Sequence, residues 1–415
     1  MSEFFNVLPP DEARALLLRH ISHRLARETC ATSEALGWVT GSAVMSPQAL
    51  PAFRRSTMDG YAVRAQDTFG ASANLPAFLT VVGEVAMGRP ATVTLRTGEA
   101  AIVHTGGMIP DSADAVVPVE QTQAVGEMDV FPHEIEVLKA AAVGEHVLQV
   151  GEDVYPGAEI LPAGHTLRPQ DLGGLLALGI MEVQVMSRPR VALLATGDEV
   201  IHPAQSPTPG QIRDINSYTT AGQTRQAGGE PVLCGIVGDD YEALRIAAAA
   251  ALATNDMLVM SAGSSVSVRD MTVQVINSLG QPGVLLHGVA TRPGKPTIVG
   301  VVEGKPVLGL PGNPVSAMIQ FDMFGVPAIE QLLGVKQGVR RGRVLAQLSQ
   351  NIASESGRED YIPARLQETT RGLQAIPVFG KSNLIYTLVN ADGLIKVPLN
   401  KAGLEAGEWV EVRLF

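Results

Sequence analysis

The stretch Val191-Ala192-Leu193-Leu194-Ala195-Thr196-Gly197-Asp198-Glu199 decides the fold. Five apolar residues in a row suit a strand buried on both faces, as in a parallel sheet. The strand then runs into a small, acidic loop. C-terminal to it, Ser217–Ala227 has a helical pattern and stops at Gly228-Gly229, a helix-ending signal. Pro231–Val237 reads as the next strand. Asp239-x-x-Glu242 has the spacing of a capping box and opens the Ala-rich run Ala243–Ala253. Asp256–Met260 is a third strand and Met271–Leu279 a further helix. Val299–Leu310 contains a hairpin turn at Glu303-Gly304. Asn313-Pro314 starts a long helix toward Leu333, with Asn as cap. Alternating strands and helices predict a doubly wound α/β domain: a parallel sheet with helices on both faces. Ligands of such sheets sit at the C-terminal strand ends.

The flanks have a different texture. Pro9-Pro10-Asp11 opens a helical pattern carrying Leu16, Leu17, Ile21 and Leu25. From about Val44 to Val183 short apolar runs alternate with Gly and Pro, the signature of β structure. Pro169–Ile180 is a short helix ending at Gly179. After Gly334 five short strand candidates, Val339–Gln347, Asp360–Leu366, Leu373–Val378, Gly393–Val397 and Gly407–Leu414, predict a small barrel. The expected domains are 1–187, a helical and linker region with a β-rich insertion at about 50–145; 188–335, the α/β domain; and 336–415, the terminal β-barrel.

Composition narrows the function. The chain has 415 residues, 46% of them hydrophobic and 18% charged, which excludes a disordered protein. A net charge of −11 and 4% aromatics argue against nucleic-acid binding. Two cysteines, Cys30 and Cys234, are too few for a disulfide scaffold and suit a reducing cytoplasm. Met1–Pro10 lacks the features of a signal peptide, and no apolar window approaches a membrane span. A cytoplasmic protein is expected.

Four strand-end loops carry the candidate chemistry: Thr196–Glu199, Ser261–Asp270, the Arg292-Pro293-Gly294-Lys295-Pro296 segment, and Pro311–Pro314. Small residues let backbone N–H groups approach an anion, and Arg292 and Lys295 add positive charge. Ordinary tight turns are the alternative reading of each loop alone. Glu199, Asp214, Asp239 and Asp270 belong to the same edge, and carboxylates beside phosphates commonly hold Mg²⁺. Asp239 and Asp270 could equally be helix caps; Glu199 has no such role. Ser56–Ala62, Thr105–Gly107 and Gly151–Asp153 are turn-like. His104 and His287 read as packed or exposed rather than as metal ligands.

In order, these segments resemble the MoeA family of molybdopterin molybdenumtransferases, related to the gephyrin E domain. The matching stretches are STMDGYA (56–62), TGGMIPDSADAVVPVE (105–120), GED (151–153), ATGDE (195–199), GQIRDIN (210–216), DMLVMSAGSSVSVRD (256–270), RPGKP (292–296) and LPGNPVSA (310–317). The resemblance implies a MogA-like α/β domain. It also implies the family's reaction: molybdate enters adenylylated molybdopterin, and molybdenum cofactor and AMP leave, with Mg²⁺ required. It implies a homodimer whose cleft lies between the α/β domain of one subunit and N-terminal segments of the other. Further implied partners are a MogA-type adenylyltransferase and cofactor-accepting enzymes.

Carried over by position, the catalytic set is Asp59, Thr105, Asp153 and Glu199, with Asp59, Asp153 and Glu199 at the metal. The binding set is Asp239, Gly263, Ser265, Asp270, Arg292, Lys295, Pro311, Gly312, Asn313 and Ser382. This sequence departs from the family pattern in the Ser261–Asp270 loop, where Ala262, Ser264, Ser267 and Arg269 replace smaller or different residues. Arg54 and Arg55 also stand where an acidic or amide residue is usual. These departures leave two alternatives open, a non-catalytic carrier of molybdopterin or cofactor and a tungsten-specific transferase. An adenylyltransferase of the MogA type is a third, opposed by the added β-rich domains.

Overall fold

The computed structural model describes residues 7–125, 132–262, 266–336, 342–370 and 372–415, with the side chains of 262 and 266–269 outside that description. The central domain is a six-stranded sheet in the order Glu230–Val237, Arg190–Thr196, Met257–Ala262, Lys305–Pro311, Ile298–Val302, Pro282–His287. Side chains alternate across it. Val191, Leu193, Met257, Val259, Leu308 and Leu310 enter one core, and Ala192, Leu194, Leu258, Met260 and Val307 enter the other. Leu244, Ala248 and Leu252 of helix Tyr241–Thr254 and Val275 and Ile276 of helix Val266–Leu279 cover the second face. Helices Pro10–His20, Asn216–Gln226 and Val326–Leu333 contribute Ala13, Leu17, Ala221, Ile329 and Leu332 to the first. Both strand faces are therefore buried, which is why Val191–Ala195 reads as a continuous apolar run.

Several expectations are corrected. The sheet is mixed: the first four strands are parallel, but Ile298–Val302 returns antiparallel to Lys305–Pro311 and pairs antiparallel with Pro282–His287. The tight turn at Glu303 (φ 48°) and Gly304 (φ 79°) forces that reversal. The cap of helix Tyr241–Thr254 is Asp240, whose Oδ1 accepts the Ala243 N–H at 2.7 Å, so Asp239 is free of capping. Asp270 lies inside helix Val266–Leu279, which starts earlier than Met271, and is no cap. The run toward Leu333 is not one α-helix. It is Pro314–Gln320, a π turn at Phe321–Gly325, and Val326–Leu333. Pro327 has no N–H for a regular helical bond, and a Cβ at Gly325 would meet the Phe321 ring at 2.4 Å.

In the N-terminal part, Arg27–Ala31 pairs antiparallel with Glu182–Met186 and ties the two ends of that region together. Between them lies a second six-stranded sheet, ordered Ala115–Pro118, Gly60–Val63, Glu99–Val103, Ala77–Glu84, Glu134–Val137, Thr122–Val125. The C-terminal strands close on themselves. Glu359–Thr369 pairs with both Gly372–Pro377 and Gly393–Val397, and Arg343–Leu348 and Trp409–Leu414 complete the ring. Thr291–Arg292 pairs with Glu359–Asp360 and stitches this barrel to the central domain.

Candidate active site

A cleft of about 410 Å³ opens at the C-terminal ends of the parallel strands. Thr196, Glu199, Asp214, Asn216, Ser261, Gly312 and Asn313 line it, together with Asn383 from the barrel domain. Four separate segments are bonded together to make this wall. The Thr196 hydroxyl donates to the Ser261 carbonyl at 3.2 Å. Asn216 Nδ2 donates to the Gly312 carbonyl at 2.8 Å. The short parallel ladder Val200–Ile201 with Ile212–Arg213 holds the acidic loop, and the Ile212 N–H reaches the Glu199 carbonyl at 2.8 Å.

Gly197 positions Glu199. Its φ is 134°, and a Cβ there would lie 2.5 Å from Glu199 Oε2, so only glycine lets the carboxylate fold back over the strand end. Asp214 is buried, and its carboxylate accepts the Ser217 N–H at 3.1 Å, fixing the start of helix Asn216–Gln226. The Asp239 N–H donates to Asp198 Oδ1 at 3.1 Å. Burial first, and then the charges of Asp198 and Glu199, push the Asp239 carboxyl up from its ordinary value.

Asn313 and Ser382 meet directly: Asn313 Nδ2 donates to Ser382 Oγ at 3.0 Å, and the Val315 N–H donates to the Ser382 carbonyl at 3.1 Å. Asn313 therefore makes no side-chain cap of its own helix; its amide is spent on the barrel domain. Pro311 ends its strand half-buried. Arg292 is mostly exposed and stands 3.8 Å from Asp360, a fully buried carboxylate that also takes Arg358 at 2.9 Å. Lys295 and Asp270 are exposed and do not line the cleft. Gly263 and Ser265 lie outside the described residues.

The N-terminal candidates stand in two places. Asp59 and Thr105 meet, the Thr105 N–H donating to Asp59 Oδ1 at 2.9 Å. Both are exposed, on the rim of the second sheet. Asp153 sits elsewhere, in a hollow of about 380 Å³ lined also by Leu50, Tyr155, Ile160, Asp171 and Leu175. Among the described residues no three His, Cys, Asp or Glu side chains gather as a metal-binding group. Asp59, Asp153 and Glu199 are thus not assembled as one set within a single chain. Each belongs to a different sheet or turn, and no element of the same chain folds them onto one point.

The same hollow is braced by Asp171. Burial alone would raise its carboxyl, but hydrogen bonds from Arg168 and His165 outweigh that and hold it well below the usual carboxylate range. Sequence reading missed Asn216 and Asn383 as lining residues, although Asn216 ends the quoted GQIRDIN stretch. Asn216 is 9% exposed, and its Oδ1 has no hydrogen-bond partner among the described residues. The Gly312 carbonyl fixes the amide orientation, because only the nitrogen end can donate to it.

Comparison with known proteins follows the same three-part division. Residues 8–179 match the MoeA N-terminal region (domain I and II), residues 192–331 a "Probable molybdopterin binding domain", and residues 346–415 the MoeA C-terminal region (domain IV). A molybdopterin molybdenumtransferase of Nostoc sp. is 34% identical over 382 residues, 91% of this chain and 86% of the relative. Molybdopterin molybdenumtransferase 2 of Mycobacterium tuberculosis is 33% identical over 388 residues, 92% of this chain and 94% of the relative. The crystal structure of a molybdopterin biosynthesis MoeA protein from Pyrococcus horikosii aligns at a TM-score of 0.80 with 35% identity, covering 99% of each chain. The chain belongs to the MoeA family, the family of the molybdopterin molybdenumtransferases.

Proposed function

We propose that this chain is an enzyme of molybdenum cofactor biosynthesis. Adenylylated molybdopterin and molybdate are its substrates, and molybdenum cofactor and AMP its products. The observation that carries the reading is the cleft itself: segments 196–199, 214–216, 261 and 312–313, distant in sequence, are hydrogen-bonded into one polar wall at the strand ends. That is the place and chemistry for a polar, phosphate-bearing ligand.

The residues do separate work in this proposal. Asn216 Oδ1, without a partner among the described residues, is an acceptor for an N–H of the bound heterocycle. Gly312 lets backbone come close to the ligand, and Ser382 braces Asn313 from the barrel side. Asp198 and Glu199 add negative charge beside Asp239 and help raise its carboxyl, and a divalent cation would offset that charge together with Arg213, which lines the same cleft. Glu199 and Asp239 would hold Mg²⁺. When bound, Mg²⁺ neutralises charge at the phosphoanhydride. Arg292 and Lys295 are binding residues at the outer rim of this proposal, and Asp270 and the 263–265 loop belong to its nucleotide side.

Asp59, Thr105 and Asp153 complete the site from a second subunit, which accounts for their exposure and their separation from Glu199 within one chain. The homodimer, its encounter with an adenylyltransferase, and a cytoplasmic location with Cys30 and Cys234 as free thiols belong to the same proposal. Among the described residues no helix is long and apolar enough to cross a membrane.

The test is AMP release from adenylylated molybdopterin with Mg²⁺, titrating molybdate and tungstate in parallel. Oxyanion-dependent release, lost in Glu199→Gln, is the expected result. Nucleotide that stays bound and uncleaved would instead establish a carrier.

A further inference from the structure

His104 stands beside Asp59, gripped from its far side. Its Nε2 lies 2.6 Å from Glu84 Oε1. A carboxylate only accepts, so Nε2 carries the proton of that bond, and in the neutral ring the lone pair is on Nδ1. Nδ1 faces Asp59 Oδ1 at 3.9 Å, beyond hydrogen-bond range. Nδ1 and Asp59 Oδ1 thus face each other across a gap too wide for a direct hydrogen bond. The same Asp59 Oδ1 accepts the Thr105 N–H at 2.9 Å, which orients the carboxylate toward the ring.

Two donors on one divalent ion, each at about 2.1 Å, can be separated by at most about 4.2 Å. The gap lies inside that span. The arrangement is also the one that metal-bound histidines show: the free ring N–H given to a carboxylate, which fixes the tautomer and raises the basicity of the ligating nitrogen. All three side chains are open to solvent, with His104 39%, Glu84 42% and Asp59 68% exposed. Water and substrate oxygens can thus fill the remaining positions around an ion that the protein holds by two.

We propose that His104 Nδ1 and Asp59 form a mixed nitrogen–oxygen cation corner, with Glu84 as its orienting residue. The corner takes a first-row transition ion such as Mn²⁺ or Zn²⁺ in preference to Mg²⁺, because imidazole suits those ions and Mg²⁺ suits oxygen. This rests on the reading of Asp59 as a site residue and adds its ligand and its metal preference.

The probe is Mn²⁺ itself, added to the full-length protein without nucleotide and followed by titration calorimetry and by electron paramagnetic resonance. The wild type should bind Mn²⁺ and show a nitrogen coupling from one imidazole. His104→Met should remove that coupling and weaken Mn²⁺ at least tenfold, while leaving Mg²⁺ affinity within twofold. Glu84→Gln, which keeps the residue's shape, should weaken Mn²⁺ by about 10–100-fold. Failure of the wild type to bind Mn²⁺, or an unchanged nitrogen signal in His104→Met, overturns the proposal. Asp59→Asn separates the two layers. If it abolishes cation binding and AMP release while His104→Met changes neither, Asp59 stands and the His104 ligand falls. If Asp59→Asn leaves both intact, the corner is no site at all.

Discussion

The strand-end cleft and the Asp59 rim differ in how finished they are. In the cleft, Asn216 is held by Gly312, Thr196 by Ser261, and Asp214 by the start of its own helix. These groups are buried or half-buried, and their positions follow from backbone that has nowhere else to go. Asp59 and Thr105, by contrast, project from a turn with one backbone bond between them and solvent beyond. The first region is a cleft wall braced from several segments. The second is a pair of exposed side chains that the proposed second subunit would cover. At the cleft edge, desolvation and then the like charges of Asp198 and Glu199 raise the Asp239 carboxyl, although its side chain still reaches solvent.

Substitutions at the two regions should differ in kind. The largest effect should be Glu199→Gln, which removes charge but not shape. AMP release should fall roughly 100-fold or more, with the thermal midpoint unchanged. A variant that keeps wild-type turnover would remove Glu199 from the chemistry. Next is Asp171→Asn, behind the Asp153 hollow. Loss of charge-assisted bonds to Arg168 and His165 should cost about 1.5–3 kcal/mol near neutral pH. Because the folded carboxyl lies below its unfolded value, that stability is present above roughly pH 4 and is lost as pH falls through that value toward the folded one. Denaturant midpoints of wild type and variant should therefore converge in acid; a gap independent of pH would point to packing instead.

Asn216→Ala should raise KM roughly 5–30-fold through the lost acceptor and the unpaired Gly312 carbonyl, with a smaller change in kcat. An unchanged KM would mean that the buried Oδ1 faces no substrate. Ser382→Ala should be smallest, about 0.5–1.5 kcal/mol of stability from one hydrogen bond to Asn313. A loss much above that would make the barrel a larger part of the cleft than its contacts indicate.

Much of the cleft is legible in the sequence because local physics determines it. The apolar run Val191–Ala195 needs two covered faces, and Glu303-Gly304 adopts the positive φ angles of a hairpin turn. Other features depend on partners that spacing does not reveal. Asp239 and Asp240 are neighbours of the same type, and only the geometry shows that Asp240 accepts from Ala243. Asn313 has the right place for a cap, but Ser382, 69 residues away, takes its amide. The antiparallel edge strand Pro282–His287 looks in sequence like any buried strand, since direction leaves no mark on composition. His104 reads as an ordinary histidine until Glu84 and Asp59 appear on either side of it.

In the proposed dimer the two halves meet only between subunits. Asp59→Asn and Glu199→Gln, each inactive alone, should be mixed, unfolded and refolded together, and assayed for AMP release. If the site joins Asp59 of one subunit to Glu199 of the other, half of the statistically mixed dimers carry one intact site of two. About a quarter of wild-type activity should then return. No recovery from a mixture shown to contain the mixed dimer would contradict the account and place the whole site within one chain.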